Sequence, residues 1–297
     1  MFKHDYAEVN GVRLHYVAAG EGALLLFLHG FPEFWYGWKE QLVEFGQDHL
    51  AVAPDMRGYN LSSKPEAVEQ YRMKHLVEDV RALAEHLGHQ KVVLAGHDWG
   101  GVVAWAFALA HPECLEKLVI VNAPHPAVFL RELRDNPAQQ QASQYMLLFQ
   151  TPQAEAILTA NNYAALVRAT LEARNGSFTE EDRAAYLSAW SQPGALTGGL
   201  NYYRASGIGP PAPGQGLDGR TEQALADFGL DPSRTTVKVP TLVIWGEKDT
   251  ALLAGNLEGL ESFVPNLTLR RIPEGTHWVV HEKPDEVNGY IREFLGD

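Results

Sequence analysis

One stretch constrains the fold more than any other: Lys91-Val-Val-Leu-Ala95, followed by Gly96-His97-Asp98-Trp99-Gly100-Gly101. Lys91–Ala95 is almost continuously apolar, as in a strand buried on both faces inside a parallel sheet. A helix follows at once, predicted to place Val103, Trp105, Ala106, Leu109 and Ala110 on a wide apolar face. The Gly-x-Asp-x-Gly between them is a tight strand-to-helix turn. Its flanking glycines let backbones approach and accept unusual dihedrals, so Asp98 is pushed out above the sheet edge with a helix N-terminus beneath it. Taken alone, the turn admits two readings: a helix cap, for which Asp is favoured, or an exposed reactive carboxylate.

Strands and helices alternate around this stretch. Tyr6–Val9 and Val12–Ala18 flank Asn10-Gly11, a strong hairpin signal. Ala23–Leu28 reads as a buried strand ending in His29-Gly30-Phe31-Pro32, and Leu50–Pro54 leads into the loop Asp55-Met-Arg57-Gly-Tyr59. Met73–Leu87 has helical apolar spacing, and Lys117–Val121 reads as a further strand. From His125 to Arg234 the pattern is helical with no convincing strand. Thr179-Glu-Glu-Asp182 forms a capping box, and Ser206–Gly219, rich in Gly and Pro, reads as a loop. Alternation resumes with Thr241–Trp245 and Leu267–Ile272, and a closing helix is predicted from Pro284 to Phe294. This order predicts an α/β fold: a mostly parallel sheet with helices on both faces, residues 1–124 and 235–297, interrupted by a helical cap or lid, residues 125–234. Ligands of such sheets bind beyond the carboxyl ends of the strands, where each of these strand-following loops lies.

Composition narrows the function classes. A formal net charge of −13 argues against a nucleic-acid partner. The single Cys114 excludes an intramolecular disulfide and fits a reducing compartment. No hydrophobic leader follows Met1, and the longest apolar run, Gly101–Ala110, falls short of the ~20 residues that span a bilayer. A cytoplasmic protein with no membrane partner is expected.

Asp98, Asp249 in Gly246-Glu-Lys-Asp249, and His277 in Pro273-Glu-Gly-Thr-His277 each stand in a loop after a strand. Nucleophile, acid, histidine is the order of the α/β-hydrolase arrangement, and Gly-x-Asp-x-Gly has the spacing of its Gly-x-Ser-x-Gly elbow. His277 and His281 form a helical i, i+4 pair, but no Glu follows His277 in the zincin pattern and no third ligand is evident, so no metal and no cofactor is expected. A carboxylate is ionised at neutral pH without help. Against an ester it would form an anhydride that readily reverts. Against a strained or activated saturated carbon it forms a stable alkyl ester. Asp98 therefore suits opening an epoxide or displacing a halide, with His277, oriented by Asp249, deprotonating the water that hydrolyses the ester.

The sequence resembles the α/β-hydrolase superfamily, and within it the soluble type of epoxide hydrolase. The resemblance rests on His29-Gly-Phe-Pro32-Glu-Phe-Trp35-Tyr-Gly-Trp38, Asp55-Met-Arg57-Gly-Tyr59, Gly96-His97-Asp98-Trp-Gly100, Gly246-Glu-Lys-Asp249 and Thr276-His277-Trp278. Tyr145-Met-Leu-Leu-Phe-Gln150-Thr-Pro152 and Leu200-Asn-Tyr-Tyr203-Arg204 resemble the segments that supply this family's paired tyrosines. The resemblance implies an α/β-hydrolase core with an inserted helical cap, Tyr145 and Tyr203 as proton donors to the leaving alkoxide, and a cis Phe31–Pro32 bond. The backbone N–H groups of Phe31 and Trp99 would form the oxyanion hole. Pro32, Trp35, His97 and Trp278 would shape a pocket for a small apolar epoxide and water. Asn60 stands where many relatives carry glycine. Haloalkane dehalogenation stays open, since halide prefers N–H donors such as the indoles of Trp99 and Trp35. A ligand receptor of hydrolase fold is disfavoured because nucleophile, acid and base are all intact.

Overall fold

The computed structural model describes residues 2–211 and 235–296. Eight strands form one sheet: β1 Lys3–Val9, β2 Val12–Ala19, β3 Leu24–Leu28, β4 Leu50–Pro54, β5 Val92–His97, β6 Leu115–Val121, β7 Thr241–Gly246 and β8 Leu267–Ile272. Their spatial order is β1-β2-β4-β3-β5-β6-β7-β8. β1 and β2 pair antiparallel, as do β2 and β4, and the remaining neighbours are parallel. Asn10 and Gly11 both take left-handed backbone (φ 46° and 75°), the two-residue turn whose twist matches a hairpin.

The near-continuous apolar runs follow from burial on two faces. Leu24, Leu26 and Leu28 pack on the face carrying α2 (Met73–His86) and α3 (Trp99–Ala110). Leu25 and Phe27 pack on the opposite face, with α1 (Lys39–Phe45). Each fully buried Leu contributes about 1.5–3 kcal/mol. α3 departs from its expected amphipathic pattern. Residues 103–108 are buried all round, whereas Leu109 is half-buried and Ala110 exposed, because α3 lies between the sheet and other helices rather than at the surface.

Between β6 and β7 the described chain is helical: α4 Pro126–Asp135, α5 Pro137–Ala142, α6 Gln144–Phe149, α7 Ala154–Val167, α8 Glu180–Trp190 and α9 Ala195–Ser206. α7 is interrupted at Asn161, Asn162 and Tyr163, all in left-handed backbone. The Thr179–Asp182 capping box opens α8, and Asp182 also binds Lys39 of α1 at 2.5 Å, tying the insertion to the sheet's helices. Of the expected loop Ser206–Gly219, the part beyond Pro211 lies outside the described residues, as does the expected boundary at Arg234. The chain closes with α10 Val279–Glu282 and α11 Pro284–Leu295, which cover the same face as α1. Among the described residues no helix is long and apolar enough to cross a membrane.

His125 closes the base of the insertion. It is buried, its Nδ1 accepts from the Ala127 N–H at the start of α4, and its Nε2 donates to the Thr235 carbonyl where the chain returns. Burial pushes its pKa from 6.5 down to about 4. The unfolded chain therefore binds a proton that the folded chain refuses, and stability present above pH 6.5 is lost as pH falls toward 4. Urea unfolding across this range is expected to show a steeper acid loss in the wild type than in His125→Gln; equal slopes would contradict the assignment.

Candidate active site

β5 ends at His97, and Asp98 turns the chain into α3 with φ 50° and ψ −124°. Two glycines permit this. A Cβ on Gly100 would collide with the Leu28 carbonyl of β3, and one on Gly30 would collide with the Asp98 side chain. The loop after β3 thus passes close enough for the Phe31 N–H to donate to Asp98 Oδ1 at 2.7 Å. The Phe31–Pro32 bond is cis. The Trp99 N–H opens α3 immediately after the carboxylate but makes no hydrogen bond to it among the described residues.

Across the sheet edge, the loops after β7 and β8 bring Asp249 and His277 together. His277 Nδ1 lies 2.7 Å from Asp249 Oδ2, and His277 Nε2 lies 3.6 Å from Asp98 Oδ2. Asp249 is buried, and its charge is satisfied by the N–H groups of Ala251 (2.8 Å) and Leu252 (2.9 Å) and by Asn122 Nδ2 (2.8 Å). Burial opposes that charge, but His277 and these donors hold the Asp249 carboxyl below its ordinary value. Burial would likewise lower the His277 pKa, yet Asp249, then Asp98 and Glu33, raise it to about 9.

Asp98, Tyr145 and Tyr203 line both of two cavity lobes that meet over the carboxylate. One, about 50 Å³, is walled mainly by apolar groups such as Val102, Phe129, Met146 and Leu252. The other, about 500 Å³, includes Phe31, Pro32, His277 and Trp278. Tyr145 comes from α6 and Tyr203 from α9, their ring centroids 6.2 Å apart. Burial, followed by the charge of Asp98, raises both phenol pKa values well above 10. Each keeps its proton and can donate it.

A model of the alpha/beta hydrolase fold family matches residues 23–284. The chain belongs to that family. It is 43% identical over 300 residues to the AB hydrolase superfamily protein YfhM of Bacillus subtilis, covering 99% of this chain and 98% of that one. It is 39% identical to epoxide hydrolase 4 of Mus musculus, covering 98% of this chain and 79% of the relative. An inhibitor complex of an epoxide hydrolase from Bacillus megaterium superposes with a TM-score of 0.89 at 40% identity, covering 99% of this chain and all of that one.

In this α/β-hydrolase two residues expected at the pocket stand elsewhere. Trp35 lines neither lobe: the chain turns away after Pro32, so its ring packs on Phe2 and His4 and its backbone N–H donates to Asp55 Oδ1. His97, the last residue of β5, points sideways rather than up. Its Nε2 donates to the His277 carbonyl at 2.8 Å, which makes it a support of the histidine. Pro32 and Trp278 do line the larger lobe. His277 and His281 do not converge, since His281 Nε2 meets Glu33 at 2.7 Å. Asn60 takes φ 37° and donates to Asp55, a left-handed position that Asn adopts more readily than most non-glycine residues.

Sequence reasoning passed over Glu33 and Asn122. Glu33 is buried and accepts from Arg174 (2.9 Å), Tyr186 (2.5 Å) and His281. Burial works against its charge, but His281, His97 and Arg174 hold it well below the ordinary range. Burial and Arg174 push His281 down to about 4, so it donates as a neutral ring. The only sequence signal was the Glu in His29-Gly-Phe-Pro-Glu33; Arg174 gave none. Replacing Asp249 by Asn removes the main group that raises His277. In an NMR titration the His277 ring of Asp249→Asn is expected to titrate well below about 9, and an unchanged midpoint would show that Asp249 is not what raises it.

Proposed function

We propose that this protein is an epoxide hydrolase working through an ester on Asp98, with α4–α9 serving as a cap over the core formed by residues 1–124 and 235–297. The observation that carries the reading is a carboxylate at the elbow faced, across one cavity, by two protonated tyrosines. Oδ1 is held by the Phe31 N–H, which leaves Oδ2 to attack an epoxide carbon. The C–O bond breaks as the ester forms, and the strongly basic alkoxide takes a proton from Tyr145 or Tyr203. The largely apolar walls favour an apolar substrate. The relatives named epoxide hydrolases support the same reading.

Ester formation also prepares the second step. It removes the charge of Asp98, one of the groups raising His277, so burial draws the ring toward its neutral form. Neutral His277, oriented by Asp249, takes a proton from water as the water attacks the Asp98 carbonyl carbon. The Phe31 N–H receives the oxyanion, and the Trp99 N–H at the start of α3 is its second donor; one such donor contributes about 3–4 kcal/mol in the transition state. Collapse breaks the acyl C–O bond, and the departing alkoxide takes the proton of the new carboxyl, which restores the carboxylate. The proton that His277 sheds on ester formation returns the phenolate to phenol, so the resting site is regenerated. With Trp35 outside the cavity, one of the two indoles considered for halide is gone.

His277→Gln should form the ester but fail to hydrolyse it. Mass spectrometry after incubation with an aryl epoxide is expected to show protein carrying one substrate mass on the peptide containing Asp98. Unmodified protein with normal turnover would count against the assignment.

The tyrosines act in the first step. Tyr145→Phe or Tyr203→Phe alone should slow alkylation partially, since the other phenol still donates, and the double variant should slow it by on the order of 10²–10⁴-fold. Rapid-quench alkylation with diol release, run beside halide release from a bromoalkane, checks both the role and the substrate class. Normal epoxide opening in the double variant would remove the tyrosines from the mechanism.

A further inference from the structure

Gln139 lies in α5, outside both cavity lobes, and is fully buried. A primary amide offers two donors and two acceptor lone pairs, and all four are used. Its Nε2 donates to the Ala251 carbonyl (2.8 Å) and to Ser143 Oγ (2.9 Å). Its Oε1 accepts from the Leu253 N–H (2.9 Å) and from Asn256 Nδ2 (2.9 Å). One helical side chain therefore grips the loop after β7 at three points.

The first of those points bears on the chemistry. The Ala251 carbonyl and the Leu252 N–H belong to the same planar peptide unit, and that N–H donates to Asp249 Oδ1 at 2.9 Å. Gln139 thus holds one end of the peptide whose other end holds the acid. Donation to the carbonyl also polarises the unit, strengthening its N–H as a donor. The second branch reaches Ser143, buried at the joint between α5 and α6 two residues before Tyr145. Its backbone N–H also donates to the Gln139 carbonyl at 2.9 Å.

We propose that Gln139 is a positioning residue that sets the Asp249 loop and the Tyr145 helix relative to one another, coupling the group that opens the epoxide to the pair that hydrolyses the ester. The inference rests on the reaction proposed above. It assigns to the insertion a role in the hydrolytic step as well as in epoxide opening. Gln139 touches no reacting atom, so its effects pass through Asp249 and Tyr145.

Gln139→Met keeps the length of the side chain and removes all four hydrogen bonds; Ser143→Ala cuts only the branch to α6. Single-turnover rapid quench with styrene oxide separates alkylation from hydrolysis in each variant and in the wild type, with thermal unfolding measured alongside. In Gln139→Met both steps are expected to slow by on the order of tenfold to a hundredfold, the scale of a small misplacement. The pH midpoint of hydrolysis should move to the acid side as the 2.7 Å His277–Asp249 contact loosens. The other groups facing His277, which are Asp98, Glu33 and His97, are untouched by the substitution. Ser143→Ala should slow alkylation and leave the hydrolytic pH profile in place. A Gln139→Met protein with a lower Tm but wild-type rates, or with a midpoint unmoved or shifted the other way, overturns the proposal. If that variant does not fold, wild-type alkylation in Ser143→Ala overturns the coupling. Absence of an alkyl-enzyme in the wild type would instead count against the reaction itself.

Discussion

Asp98 faces the cavity only because its backbone is held at φ 50° and ψ −124°. A strained position of this kind costs a non-glycine residue on the order of 1–3 kcal/mol. The surrounding sheet offsets it: β5 is bonded on both sides, to β3 and β6, and α3 is buried almost completely. The same approach that leaves no room for a side chain at Gly100 or Gly30 brings the Phe31 N–H onto the carboxylate. Strand, helix and the Phe31 N–H are therefore one packing unit, and a Cβ at Gly100 would displace all three.

The site's electrostatics depend on how unequally its carboxylates are satisfied. Asp249 receives three donors besides His277, and Glu33 is surrounded by Arg174, Tyr186, His281 and His97. Among the described residues Asp98 accepts a single hydrogen bond, from Phe31. The first two are fixed charges that shape the field at His277. The third keeps one oxygen without a hydrogen bond, 3.6 Å from His277 Nε2. Burial and charge pull the His277 pKa in opposite directions, so the loss of a neighbouring negative charge lowers it.

Much of this was legible in the sequence, because strands buried on both faces write unbroken apolar runs and Asn-Gly writes a hairpin. Leu50–Pro54 and Leu267–Ile272 match their strands at both ends, and the order of Asp98, Asp249 and His277 follows from loops that share one edge of the sheet. What stayed hidden depends on which surfaces meet. Trp35 sits in an aromatic run that looks like a pocket wall, yet whether the chain turns toward or away from the cavity after Pro32 is a tertiary fact. The burial of α3 all round needs the neighbouring helices. The interruption of α7 at Asn161–Tyr163 falls within an apolar-rich stretch whose composition still reads as helix. Glu33 and Gln139 are polar residues with no periodic signature, and their partners lie far away in sequence.

The mechanism turns on whether oxygen reaches the product from Asp98 or from water. A single turnover with enzyme in excess over an aryl epoxide, run in heavy-oxygen water, decides this by mass spectrometry of both partners. An ester on Asp98 predicts that the first diol is unlabelled, its new oxygen drawn from the carboxylate, and that the peptide containing Asp98 gains one heavy oxygen. A first diol that already carries the label, beside an unlabelled Asp98, would contradict it.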